Sequence, residues 1–258
     1  MPAAEHAPDL ATSWPASIPA GRLVEFSAAA GGGALSAAVW VTAAWQRLGR
    51  AVAWIEPAPG QLYPPDLQQA GVQLAQLWII RPAAAGTPER GTRWMPQERG
   101  AGGGWAPRPL WTHLVQAAEI ALGGGGFALV VVDWSLCPPA LQVQGERWQM
   151  RLQGLVRRHG STLLLLSRKA HDDPALGALV ALRLHWRLSQ GWAAAERRDS
   201  DAWRDTQFQH SEIEWRLVGH CRRHKGIAFG APICMATQAP LGLQAGKRVE
   251  DLGAQCGG

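Results

Sequence analysis

The sequence predicts an α/β fold: a mostly parallel central sheet with helices on both sides and antiparallel strands at its edge. Three observations carry this expectation. Two uninterrupted apolar runs, FALVVVDW (127–134) and STLLLLS (161–167), have the length and residue types of strands buried on both faces. Segments with helical spacing separate these runs from each other and from shorter apolar ones. Parallel neighbours need crossover connections, so strands alternating with helices favour a parallel sheet. At 258 residues, 47% of them hydrophobic and 17% charged, the chain can bury one sizeable core and little beyond it.

RLVEF (22–26) reads as the first strand and is followed by a glycine turn, SAAAGGGALS (27–36). ALSAAVWVTAAWQRLG (34–49) is made of helix formers throughout and places Gly49 at a C-terminal cap. AVAWIE is a second buried strand, PPDLQQAG a short helix opened by prolines, and QLWII a third strand. RPAAAGTPERGTRWMPQERGAGGGWAPRP then lacks any apolar period and predicts a long mobile loop over 82–109. LWTHLVQAAEIAL returns to helical spacing, with Leu110, Leu114, Ala117, Ala118 and Ala121 on one side, and GGGG ends it. WQMRLQGLVRRHG is a further amphipathic helix. ALVALRLHWRLS and EIEWRLVGHCRRH alternate partially and are expected as antiparallel strands at the sheet edge. The resulting division is an N-terminal extension over 1–20, a core over 21–235 and a disordered C-terminal tail over 236–258, which is turn-rich from about Ala236.

No run of eighteen apolar residues occurs, and MPAAEHAPDL lacks the charged and apolar regions of an export signal, so no membrane and a cytoplasmic location are expected. The four cysteines are scattered without a CxxC pair, which fits reduced thiols better than a disulfide framework. His220, Cys221, His224 and Cys234 have no common zinc-module spacing, and neither a metal nor a cofactor is expected. A net charge of +5 can assist contact with nucleic acid or an acidic partner, although a solvated basic face is the favoured explanation. Arg157, Arg158, Arg168, Lys169, Arg222, Arg223 and Lys225 are the candidate contacts for DNA or a partner. Of the fourteen tryptophans, Trp40, Trp45, Trp54, Trp78 and Trp186 fall on expected core elements and read as packing. Trp94 and Trp105 in the loop, with Trp192 and Trp203 towards the tail, are the contact candidates.

The glycine turn sits where a phosphate-gripping loop belongs. Such a loop needs small residues that let backbone N–H groups surround the phosphates, a lysine for the β and γ charges, and a hydroxyl for magnesium. Gly31, Gly32 and Gly33 supply the first, whereas Ala34 and Leu35 stand at the lysine and hydroxyl positions. Without that cation polyphosphate charge is poorly compensated.

GRLVEF before the loop, GRAVAWIE after the first helix, PPDLQQAGVQLAQLWIIRP, AAEIALGGG and FALVVVDW together resemble the ATPase core of RecA recombinases, over Gly21 to Leu188. The resemblance implies a RecA-like three-layer α/β/α core. It carries the family's strand-end acidic metal residue onto Asp133 and its catalytic glutamate onto Ala58 or Pro59, Glu56 lying too early. It replaces the glutamine that couples ATP to DNA binding by about Arg168, and it leaves Arg168 to Leu176 too short for a long second DNA loop. A core so depleted resembles the ImuA-type proteins, non-catalytic accessories that accompany an ImuB-type Y-family-like subunit and an error-prone polymerase in damage-induced translesion synthesis. That resemblance implies binding to the ImuB-type subunit and its polymerase complex, with RecA and weak DNA contact as further partners. SulA-type division inhibitors share the degenerate core, and a divergent ATPase keeping Asp133 and borrowing Arg168 or Lys169 is the enzymatic alternative. Asp133 also has a plain reading, as a carboxylate capping the turn VVDWSLCPP.

Overall fold

The computed structural model describes residues 18–29, 32–57, 62–82, 110–137, 146–192, 213–224 and 233–237. Its elements are β1 (Leu23–Ala28), α1 (Ala34–Arg47), β2 (Val52–Ile55), α2 (Pro64–Gln69), a 3-10 turn (Leu74–Gln76), β3 (Leu77–Ile80), α3 (Leu110–Gly123), β4 (Leu129–Asp133), α4 (Glu146–His159), β5 (Thr162–Arg168), β6 (Val180–Trp192), β7 (Ile213–His224) and β8 (Ile233–Thr237). One sheet holds all eight strands in the order β3-β2-β4-β5-β1-β6-β7-β8. Every neighbouring pair from β3 across to β6 is parallel, and β7 and β8 follow antiparallel. The chain therefore has the α/β class and the mostly parallel sheet that its apolar runs predict.

The alternation of side chains along each strand builds two cores, one per face. Val24, Phe26, Trp54, Val131, Leu164 and Leu184 pack with α1 and α2 on one face. Leu23, Ile55, Val130, Val132, Leu163 and Leu165 pack with α3 and α4 on the other. This two-sided burial is why the sequence of β4 and β5 is continuously apolar. Helix α1 ends as its sequence requires. Gly49 takes a φ of 70° and donates to the Gln46 carbonyl at 2.8 Å, while Arg50 N–H reaches back to Trp45 at 3.1 Å.

Strand β6 differs from its expectation as an antiparallel edge. It lies inside the sheet, parallel to β1 on one side and antiparallel to β7 on the other. The physical reason for its alternating sequence is that its two faces meet different surroundings: Leu182, Leu184 and Trp186 join the apolar core under α1, whereas Arg183 and His185 are buried among polar partners on the other face and Arg187 is exposed there. The edge is β8, which crosses the expected core boundary at 235 and extends to Thr237. Trp45, Trp54 and Trp186 are buried as expected, but Trp78 is 64% exposed because β3 is itself an edge strand with β2 on one side alone. Leu110 is only half-buried. Of the expected extension over 1–20, Ile18 is buried in the core under α1 and 1–17 lie outside the described residues, as do 83–109 of the expected loop, the tail beyond 237, Gly31, Trp94, Trp105, Trp203 and Lys225, and the side chains of Trp192 and Arg223. Among the described residues no helix is long and apolar enough to cross a membrane.

Candidate functional site

The strand order puts the glycine loop at the C-terminal end of β1, between β5 and β6 and near the end of β4. Ligands of open α/β sheets bind at this end of the strands. A cleft of about 240 Å³ opens there, lined by Gly32, Gly33, Leu35, Asp133, Ser135 and Arg168 among others. The loop is folded onto itself. Gly32 N–H donates to the Ala29 carbonyl at 2.9 Å, so this amide already has a partner within the loop. A Cβ on Gly32 would approach Ala28 Cβ to 2.8 Å and the Ala29 carbonyl to 3.0 Å. Gly33 caps α1 in the left-handed region with φ 90° and ψ 7°, and no side chain caps the helix. Its open α-carbon receives Leu217 of β7, whose Cδ1 would collide with a Cβ there. Ala34, the first residue of α1, is buried, and Leu35 turns an exposed apolar side chain into the cleft wall.

Asp133 ends β4 with 2% exposure and accepts the Ser135 N–H at 2.9 Å on Oδ1, the turn-capping bond that its sequence position also allows. Burial is the main reason its carboxyl is raised above the usual carboxylate range, and the Glu56 charge adds to it; the Ser135 bonds and Arg168 act the other way. Glu56 has a separate task. Fully buried after β2, it accepts from Arg81 Nε at 2.9 Å and from Leu62 N–H at 3.4 Å, tying the ends of β2 and β3 together. Arg168 stands exposed at the cleft rim.

The basic candidates are not brought to one face. Arg157 and Arg158 occupy the exposed last turn of α4, beside the start of β5, where they complement the helix dipole. Arg168 and Lys169 lie at the opposite end of that strand. Lys169 Nζ donates to the Pro174 carbonyl at 2.8 Å, and burial lowers its pKa. Arg222 lies on β7 and pairs with Asp172 at 2.7 Å. Of the would-be zinc residues, His220 shares a face with His185, while its neighbour Cys221 packs on the core under α1; the side chains of His224 and Cys234 lie outside the described residues. Among the described residues no group of three His, Cys, Asp or Glu side chains is placed to hold a metal. The Cys137 thiol is buried and pushed up to about 12, which keeps it protonated and unreactive.

A buried polar network beside the cleft was not anticipated. Glu25 in β1 is fully buried and accepts from Ser167 Oγ at 2.6 Å and from Leu176 N–H at 2.8 Å, with Arg183 Nε at 3.9 Å. Arg183 also donates to Ser27 Oγ at 3.1 Å, to the Ala170 carbonyl at 2.7 Å and to the Asp173 carbonyl. These bonds clamp the 169–176 segment onto the sheet. His185, 2% exposed, lies 3.4 Å from Ser27 Oγ and is edge-on to His171, with ring centres 5.2 Å apart. The signal in the sequence was the charge placed inside apolar strands, the Glu of RLVEF and the Arg and His of LRLHW.

No protein-family model matches the chain, and no curated protein matches it.

Proposed function

We propose that the chain is a RecA-like, non-catalytic accessory protein of the ImuA type, acting in the cytoplasm. In this reading it binds an ImuB-type Y-family-like subunit and helps assemble an error-prone polymerase complex for translesion synthesis. The observation that carries it is the state of the cleft at the end of β1. The described part of the loop, the strand-end acid and the helix start line one cleft, and Ala34 and Leu35 stand at the positions that the RecA resemblance gives to a cation and a metal-binding hydroxyl. One loop amide is already bonded to Ala29, and Leu217 lies against Gly33. A fold that keeps the cradle without its charges serves as a surface.

The free edge of β3 is the surface that fits this role. Its outer side is unpaired among the described residues, and Trp78 and Ile79 are 64% and 37% exposed, with no charged residue in LWII to discourage a further strand. An added strand from the subunit gains main-chain hydrogen bonds and covers both side chains. Two experiments test the proposal. Titration calorimetry with magnesium and ATP is expected to give no binding, and tight magnesium-dependent capture would overturn the non-catalytic reading. The ImuB-type subunit is expected to co-purify with the chain and to be lost from Trp78→Glu/Ile79→Lys. Blocked filament assembly by a tubulin-like division protein, without such co-purification, would favour the SulA-type alternative.

A further inference from the structure

On the opposite side of the sheet from β3, the core under α3 and α4 reaches only as far as Val180, and the same face of β6 and β7 continues with Arg183, His185, Arg187 and His220. Arg222, on β7, and His171, in the turn after β5, reach into this region. The charge of Arg183 is answered by buried Glu25, and Asp173 turns its carboxylate onto the Ala170 N–H. Among the described residues that leaves Asp172 as the carboxylate beside Arg222, with Arg187 near enough to act on its charge. Although 85% exposed, it accepts Arg222 Nη2 at 2.7 Å and His171 Nδ1 at 3.0 Å on the same oxygen, Oδ1. The His171 hydrogen bond, then the His171, Arg222 and Arg187 charges, hold its carboxyl below the usual range.

We propose that the basic patch of His171, Arg187, His220 and Arg222 binds a carboxylate from an acidic segment of a partner protein, and that Asp172 occupies it as an internal competitor in the unbound chain. The geometry favours a carboxylate over nucleic acid. The anion seated there is a carboxylate, taken by one guanidinium and one imidazole nitrogen. A nucleic-acid strand needs cations spaced along its path, whereas Arg157 and Arg158 are at the other end of the sheet and the Lys169 ammonium is bonded to the Pro174 carbonyl. Asp172 is well placed to give way, because an exposed ion pair contributes little and its turn is held down by Arg183 and Glu25 rather than by its own side chain.

The test is fluorescence anisotropy of the full chain with a labelled, glutamate-rich peptide at low salt, beside a single-stranded oligonucleotide of matched charge. Asp172→Asn removes the competitor and is expected to tighten peptide binding roughly three- to fivefold, the size of one exposed ion pair. Arg222→Gln and Arg187→Gln are expected to weaken it in both backgrounds, with the melting temperature unchanged. Unchanged or weaker peptide binding by Asp172→Asn overturns the proposal, and so does tighter binding of the oligonucleotide than of the peptide. Asp172→Ser serves as the second substitution should the amide form new bonds of its own. No polymerase subunit enters the experiment, so its result is independent of the function proposed above.

Discussion

Asp133 and His185 are both buried, and burial shifts each towards its neutral form. For Asp133 the folded carboxyl is raised, so the native state carries a cost for the ionised form that disappears as pH falls through the folded value. Asp133→Asn removes that cost at neutral pH while its amide oxygen still accepts the Ser135 N–H. A higher melting temperature at pH 7, fading as pH drops into the carboxyl's range, is expected; a lower one would show that the charge itself is needed, against its being a relic. For His185 the sign is opposite. Burial, then His171, Arg183, Arg187 and His220, lower its folded pKa to about 4, and Ser27 Oγ is the polar neighbour on β1. Above pH 6.5 both folded and unfolded forms are neutral and nothing is lost. As pH falls from there to about 4 the unfolded chain takes up the proton first, costing roughly 3 kcal/mol of stability. Chemical denaturation across this window is expected to show that slope, and His185→Gln to flatten it.

At the scale of elements, the glycine turn is held by packing, which separates it from an ordinary tight turn. Gly33 and Gly71 both have positive φ, 90° and 85°, but open space surrounds Gly71 while Leu217 lies on Gly33. Gly71→Ala is expected to cost about 1 kcal/mol of backbone strain and Gly33→Ala about 3 kcal/mol, the excess coming from displaced Leu217. The pair Gly33→Ala/Leu217→Ala should then cost less than the sum of its parts by about 1 kcal/mol or more. Urea unfolding of the four proteins measures this, and simple additivity would mean that the contact is not what keeps the glycine. The turn itself was legible because small residues between a strand and a helix have few other uses. Its partner was not, since Leu217 lies far along the chain and nothing local marks it. The same division holds elsewhere. β4, β5 and α1 are legible from their periodicity, but the place of β6 depends on what each of its faces packs against, and β8 borders a turn-rich segment that hides it although it is no shorter than β4. The clamp of Glu25 and Arg183 joins residues 158 positions apart in sequence, so composition and spacing alone do not pair them.

For the molecule as a whole, the sheet has a well-covered middle and two different margins. β4, β5 and β1 are paired on both sides and buried on both faces, whereas β3 is paired on one side and exposes Trp78. Local opening follows such differences in burial, so amide exchange should be slowest in β1, β4 and β5 and faster in β3, which opens at a fraction of the global cost. This gradient suits a protein that works by contact, because a strand added to β3 needs no disturbance of the core. In the proposed complex with an ImuB-type subunit, exchange is expected to slow at Leu77–Ile80 and to stay unchanged at Ile233–Thr237 on the opposite margin. Slowing at β8 with none at β3 would move the contact to the other side of the sheet, while slowing confined to 32–35 would assign the partner to the emptied cradle.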